Sequence, residues 1–330
     1  MSLVMNDIHS LNIANLSQRV IIKQIVRALI PVAAFLLFWG CNDNPETTLV
    51  DFSRRVAVQQ PGEKKSDTSV LRVAVGAMIS PRETADQYYA LLGYIADQTG
   101  RKGELIQRRT YSQINELLAK GRVDVAFICS GPYATGKDIF NFQALAVPLV
   151  RNKHTYRSYL IVHEDSAYRD LTDLRGKVFA FTDPESNTGA LVPSYWLSQQ
   201  GETPDSFFGK VVYTYSHDNS IMAVAKSLVD GATVHEQIWE YYNERDPVFT
   251  SKTRIIKKSD EFGNPLMVAG GHIPDEMKET IRDILFKMNQ SDEGKKLLKE
   301  LMIQKFVAPD DQWYLPIVAM KQQCAIKGLQ

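Results

Sequence analysis

Cysteine is scarce. Cys41, Cys129 and Cys324 are the only three in 330 residues, too few for a disulfide framework. Nothing in their spacing demands a bridge between Cys129 and Cys324, so buried thiols are the expected state. The six histidines are scattered, with no His-x-x-x-His or His/Cys cluster at ligand spacing, which argues against a metal site and calls for no cofactor. An excess of one charge is also lacking, because 38 basic residues cancel 38 acidic ones. Without a global field to recruit nucleic acid or an acidic surface, an anion must be held by local geometry. Strong self-repeats and low-complexity tracts are absent.

The N-terminus has a recognisable composition. Arg19, Lys23 and Arg27 precede an apolar run from Ala28 to Trp39, broken by Pro31 and followed by Gly40-Cys41. The run is shorter than the roughly 20 residues of a comfortable membrane span. A basic region, a short apolar region and a small residue predict an export signal over 1–41. Cysteine after Gly40 resembles a lipobox, whose cysteine becomes a lipidated N-terminus, although Phe38 and Trp39 replace the usual leucine and small residue. An uncleaved membrane anchor and a buried helix are the other readings. Residues 42–69, with Pro45, Pro61, Gly62 and a Glu63-Lys64-Lys65 cluster, have the composition of a tether. The expectation is a membrane-anchored lipoprotein of the periplasm or cell envelope, lipidated at Cys41.

The rest of the chain, 44% hydrophobic overall, can bury a large core in two lobes. Periodicity predicts strands over 71–77, 104–107 and 123–129, separated by helices over about 84–99 and 112–120. Gly100 and Gly121 stop the helices, and Ser112 is the expected N-cap of the second. That β-α-β-α-β order implies a parallel sheet covered by helices. Strands over 144–150 and 158–163 flank the basic stretch 151–157. A second α/β unit follows: strand 178–181, a helix at Pro193, strand 211–215, helix 220–230 and strand 231–234. A return strand over 266–269, helices over 275–289 and 293–304, and a tail punctuated by Pro309 and Pro316 complete the chain. Lobe one is then 70–155 plus 263–330 and lobe two is 156–262, joined by hinge crossovers near 150–159 and 255–268.

Ligands of such sheets bind beyond the carboxyl ends of the strands. The most informative of these loops follows strand 178–181, where Ser186, Asn187, Thr188 and Gly189 lead into the Pro193 helix. Proline has no N–H and pre-sets a helical φ, so regular pairing should begin around it and leave the upstream N–H groups free. A strand, a small polar turn and a helix N-terminus make a receptor for a tetrahedral anion. An ordinary capped junction is the competing reading. The other loops carry Arg108-Arg109-Thr110-Tyr111, Ser130-Gly131-Pro132-Tyr133, Ser216-His217-Asp218-Asn219 and His235-Glu236. These offer hydroxyls, amides and imidazoles, with few cations.

Three stretches, QRRTYSQINELLAKGRVDVAFICSGPY, FAFTDPESNTGALVPSYWL and YSHDNSIMAVAKSLVDGATV, resemble the phosphate/phosphite/phosphonate-binding proteins of ABC importers. The likeness runs from about Leu71 to the Trp313 region. It implies the α/β type II periplasmic binding protein fold, two-lobed with parallel-rich sheets. It also implies a solute-binding protein, not an enzyme, that captures a small phosphorus oxyanion and delivers it to an ABC permease. A monomer is expected, with no nucleic-acid partner. By the resemblance, Ser186, Asn187, Thr188 and Gly189 hold the ligand's oxygens, with Tyr111 and Tyr133 closing the site and His217 contacting the ligand. Ser130 belongs to the same set. The family's turn often reads Ser-Thr-Ser-Gly, so Asn187 is a departure. So is His235, which stands where an acidic residue is common; Glu236 would point away from the cleft by strand alternation. Two alternatives stand beside this reading: a sensing module signalling to a membrane partner, and an enzyme with Cys129 as nucleophile and His217 as its base.

Overall fold

The computed structural model describes residues 69–76, 78 and 81–326. The expected export signal with Cys41, and the tether through residue 68, lie outside the described residues. The first lobe opens with β1 (Val70–Val75), α1 (Pro81–Gln98), β2 (Lys102–Gln107), α2 (Tyr111–Ala119), β3 (Val125–Ile128), α3 (Ser130–Phe140) and β4 (Phe142–Val150). A short β5 (Thr155–Tyr156) leads to the second lobe. That lobe holds β6 (Ser158–His163), β7 (Val178–Phe181), α4 (Val192–Ser198), α5 (Pro204–Phe207), β8 (Lys210–Tyr213), α6 (His217–Ala225), β9 (Gly231–His235), α7 (Glu236–Arg245) and β10 (Thr253–Lys258). The chain returns through β11 (Phe262–Gly263) to β12 (Leu266–Gly270), α8 (Asp275–Lys287), α9 (Asp292–Glu300), β13 (Ile303–Val307) and α10 (Leu315–Ile326).

Six strands pair in the order β13-β4-β12-β3-β1-β2, and five in the order β10-β6-β9-β7-β8. β1 runs parallel to both β2 and β3, as the alternating elements require, whereas β12 returns antiparallel between β3 and β4. In the second sheet β7 is parallel to β8 and β9, while β6 and β10 are antiparallel additions. Both central strands β3 and β12 are buried along their whole length, which explains their unbroken apolar sequences. Adjacent residues serve opposite faces, as the pleat demands: Leu160 and Phe179 join one core layer, Ile161 and Ala180 the other. The two crossings between sheets brace each other, because β5 and β11 pair antiparallel with Phe262 opposite Tyr156.

Four local features differ from the sequence expectation. Thr110, not Ser112, caps α2, because Gln113 completes a capping box with it. α3 forms where a loop was expected; Gly131, Pro132 and Gly136 gave its sequence little helical character. Residues 303–307, where the expected helix over 293–304 ends and the tail begins, instead form the edge strand β13, since Met302 at φ 57° breaks the chain direction just before it. Pro316 marks the first turn of α10, where proline is tolerated, and not a helix-free tail. Among the described residues, no helix is long and apolar enough to cross a membrane.

Candidate ligand-binding site

The turn after β7 is shaped by its missing donor. Pro193 cannot bond back to the Gly189 carbonyl, which instead accepts the Thr182 N–H at 3.2 Å and ties the turn to the end of β7. The freed ladder widens into a π-helical turn over Asn187–Leu191, with the Leu191 N–H reaching the Ser186 carbonyl at 3.0 Å. Ser186 caps it, its hydroxyl accepting the Gly189 N–H at 3.1 Å. Pairing therefore starts upstream of Pro193, and the Gly189 N–H is spent on the cap. Glycine is needed there for space: a Cβ would collide with the Thr182 hydroxyl.

A hydrogen-bonded network attaches the other lobe to this turn. The Tyr156 hydroxyl lies 2.6 Å from Ser130 Oγ and accepts Asn187 Nδ2 at 3.2 Å. Its ring stacks on His235 at 4.0 Å, and His235 meets the His217 ring edge-on at 5.7 Å. Ser158 donates to the Thr188 carbonyl at 2.8 Å, and the Tyr111 N–H donates to Asp183 Oδ2 at 3.1 Å. The His217 N–H reaches across to the Met78 carbonyl at 2.9 Å. The structure thus gathers Tyr111, Ser130, Ser186, Asn187, Thr188, Gly189, His217 and His235 at one place between the lobes.

Several polar atoms of this cluster are buried without a partner: the hydroxyls of Thr182, Thr188 and Thr233, His217 Nε2 and Asn187 Oδ1. The Tyr111 hydroxyl, beside Ser186, likewise lacks an aligned bond. A buried unpaired hydroxyl costs about 1–3 kcal/mol, so such a concentration marks polar groups, most of them donors, kept for something else. No cation answers them. The one buried lysine or arginine among the described residues is Lys278, on α8 with Asp275 at 3.0 Å. Arg109 is exposed and stacks 4.4 Å from the Tyr215 ring.

Protonation follows from the same geometry. His217 Nδ1 accepts the His235 N–H at 3.0 Å, so the neutral ring carries its proton on Nε2, the unpartnered atom. Burial pushes the His217 pKa down to about 3. His235, whose Nδ1 accepts the Gln237 N–H at 3.1 Å, is also pushed well down, by burial and then by His217. Above pH 6.5 both rings are neutral folded or unfolded; as pH falls below it, the unfolded chain takes up protons that the folded chain refuses. Stability should fall by about 1.4 kcal/mol per pH unit for each such histidine. Denaturation at pH 6.5 and 5.5 should show a smaller loss for His217→Gln than for the wild type. Equal losses would mean that His217 is not held neutral.

Two expectations need adjustment. Tyr133 is buried in the same core layer as Tyr156, but its hydroxyl is committed outside the cluster: it donates to Asp311 at 2.7 Å, and the ring packs edge-on against Tyr314 at 4.8 Å. Cys129 stands at the N-cap position of α3 without a side-chain capping bond, a buried thiol whose pKa is pushed up by burial, opposite to the shift a nucleophile needs. Glu236 faces away, as expected, accepting the Arg157 N–H at 2.7 Å and the Tyr159 hydroxyl at 2.9 Å. Three members were missed: Tyr156, Thr182 and Thr233. Alternation could have found one of them, since Thr233 shares a face with His235.

Two lobes, a double crossing and a polar cluster between them define a type II periplasmic binding protein. The profile of the family described as "ABC transporter, phosphonate, periplasmic substrate-binding protein" matches residues 73–314, and the chain belongs to that family. It is 24% identical over 275 residues to the phosphonates-binding periplasmic protein of Escherichia coli, covering 82% of this chain and 80% of that one. Among solved structures it resembles a binding protein component of an ABC phosphonate transporter from Pseudomonas aeruginosa, with a TM-score of 0.74 and 25% identity over 78% of this chain and 87% of the other. PhnD1 from Prochlorococcus marinus, solved with methylphosphonate, shares the fold with a TM-score of 0.70 and 17% identity over 78% of this chain and 98% of the other.

Proposed function

We propose that this chain captures a small phosphorus oxyanion (phosphonate, phosphite or phosphate) between its lobes and delivers it to an ABC permease. The observation that carries this reading is the set of buried, unpartnered hydroxyls and the His217 Nε2 donor gathered at the Ser186–Gly189 turn. Tetrahedral oxyanions present several acceptors to such a set, and hydrogen bonds to a charged acceptor are the stronger kind. Tyr111, Ser130, Ser186, Asn187, Thr188, His217 and His235 form the site in this reading, with Gly189 supplying room. The chain performs no covalent chemistry; the lobes, 70–155 with 263–330 and 156–262, close on the ligand about the β5 and β11 crossings.

It acts as a monomer at the membrane surface of the periplasm or cell envelope, held by lipid on Cys41. A mature, membrane-bound protein with an unmodified Cys41 in mass spectrometry would refute the anchor. Calorimetry with phosphate, phosphite and methylphosphonate tests the capture itself. At least one should bind with one-to-one stoichiometry, and the absence of heat and of any thermal-shift response with all three would overturn it.

A further inference from the structure

A cavity of about 80 Å³ adjoins the donor cluster. Its walls include Met78, Tyr88, Phe127, Ile238, Tyr241 and Ile303, and none of its lining residues carries a charged side chain. Two residues belong to both places. His235 lines the cavity while stacking on Tyr156, and Met78 lines it while its carbonyl holds the His217 N–H at 2.9 Å. The cavity is therefore where a group attached to a bound oxyanion would go. One water needs about 10–15 Å³ of such space, so there is room for a short carbon chain.

The walls also state what that chain cannot be. The nearest acid along the strand, Glu236, has both carboxylate oxygens committed elsewhere, to the Arg157 N–H and the Tyr159 hydroxyl. His235 stands in the wall as a neutral ring whose Nδ1 is already an acceptor for Gln237. Gln237 points its Nε2 at Asn264 Oδ1, 2.8 Å away. Burial pushes the Tyr88 hydroxyl pKa up, so it stays uncharged. An ammonium group placed here would lose its water and gain no counter-ion, which is the costly way to bury a charge.

We propose that this cavity receives the carbon substituent of the ligand, and that the chain selects phosphonates with a short uncharged alkyl group over those ending in an amine. This rests on the reading of the donor cluster as a phosphorus-oxyanion site. The decisive comparison is between n-propylphosphonate and 2-aminoethylphosphonate, which have the same heavy-atom skeleton and differ in the terminal charge. Calorimetry at pH 7.5 should show affinity rising about fourfold per methylene from methyl- to ethyl- to n-propylphosphonate. The n-propyl compound should bind at least about tenfold more tightly than the 2-aminoethyl compound. Ile238→Glu, which puts a carboxylate in the cavity wall of an otherwise unchanged site, should move the preference toward the amine. Methylphosphonate binding with the amine equal to or tighter than n-propyl in the wild type would overturn this inference and leave the oxyanion site standing. If none of the four compounds binds while phosphate or phosphite does, this inference fails and the oxyanion site stands; if those two do not bind either, both readings fail.

Discussion

Thr188→Val should bind its phosphorus oxyanion about tenfold to more than a hundredfold more weakly than the wild type, and should at the same time be slightly more stable. The two shapes are alike, so the substitution deletes a hydroxyl and little else. With the lobes together that hydroxyl is buried and, without ligand, has no partner. Removing it relieves a desolvation cost that was never offset. In the complex the same hydroxyl would donate to a charged oxygen, a bond worth roughly 1.5–3 kcal/mol, hence the range of affinity loss at about 1.4 kcal/mol per decade. The opposed signs separate this from ordinary damage, which lowers stability and affinity together. Thermal unfolding of the free protein and calorimetry with the ligand that binds best measure both. Wild-type affinity in a folded Thr188→Val variant would mean that the turn is not the anion site.

The same turn shows how far the sequence could be read. The strand Val178–Phe181, the small polar residues after it and the proline were all visible, because strand, turn and helix start each leave a local signature. The i→i+5 pairing was not, since it depends on the Thr182 N–H taking the Gly189 carbonyl that Pro193 leaves open. Tyr156 is a second case. It lies on a two-residue strand whose only regular partner is β11, more than a hundred residues later, so no window around it has a strand's length. Its importance comes from contacts to Ser130, Asn187 and His235, which tertiary folding alone brings to it. Tyr133 errs the other way: an aromatic after Ser-Gly-Pro suggests a loop over the cleft, but α3 carries it round to Asp311. Proline was read as a breaker in the tail although Pro316 sits where a helix begins. Local chemistry picked out the Ser186–Gly189 turn; the residues gathered around it were set by sheet order.

Gly131→Ala should impair ligand capture without harming either lobe. Gly131 lies in the first turn of α3 with an ordinary helical backbone, so alanine is locally favourable by up to about 1 kcal/mol. Its surroundings are another matter. A Cβ there would stand 2.5 Å from the Glu185 carbonyl oxygen and 2.9 Å from the Asn187 nitrogen. Both are backbone atoms of the other lobe, in the turn that gathers the donors, and neither can swing aside as a side chain would. The lobes must separate there or the turn must shift. Overpacking of this kind costs about 1–3 kcal/mol, here charged to the closed arrangement alone, which lowers affinity about fivefold to more than a hundredfold. With saturating ligand, small-angle scattering should give the variant a larger radius of gyration than the wild type. Gly93→Ala is the control, since no atom lies within 4 Å of the added methyl group, and it should leave binding unchanged. Should Gly131→Ala bind as tightly as Gly93→Ala and close to the same radius, the approach of α3 to the Ser186–Gly189 turn plays no part in capture.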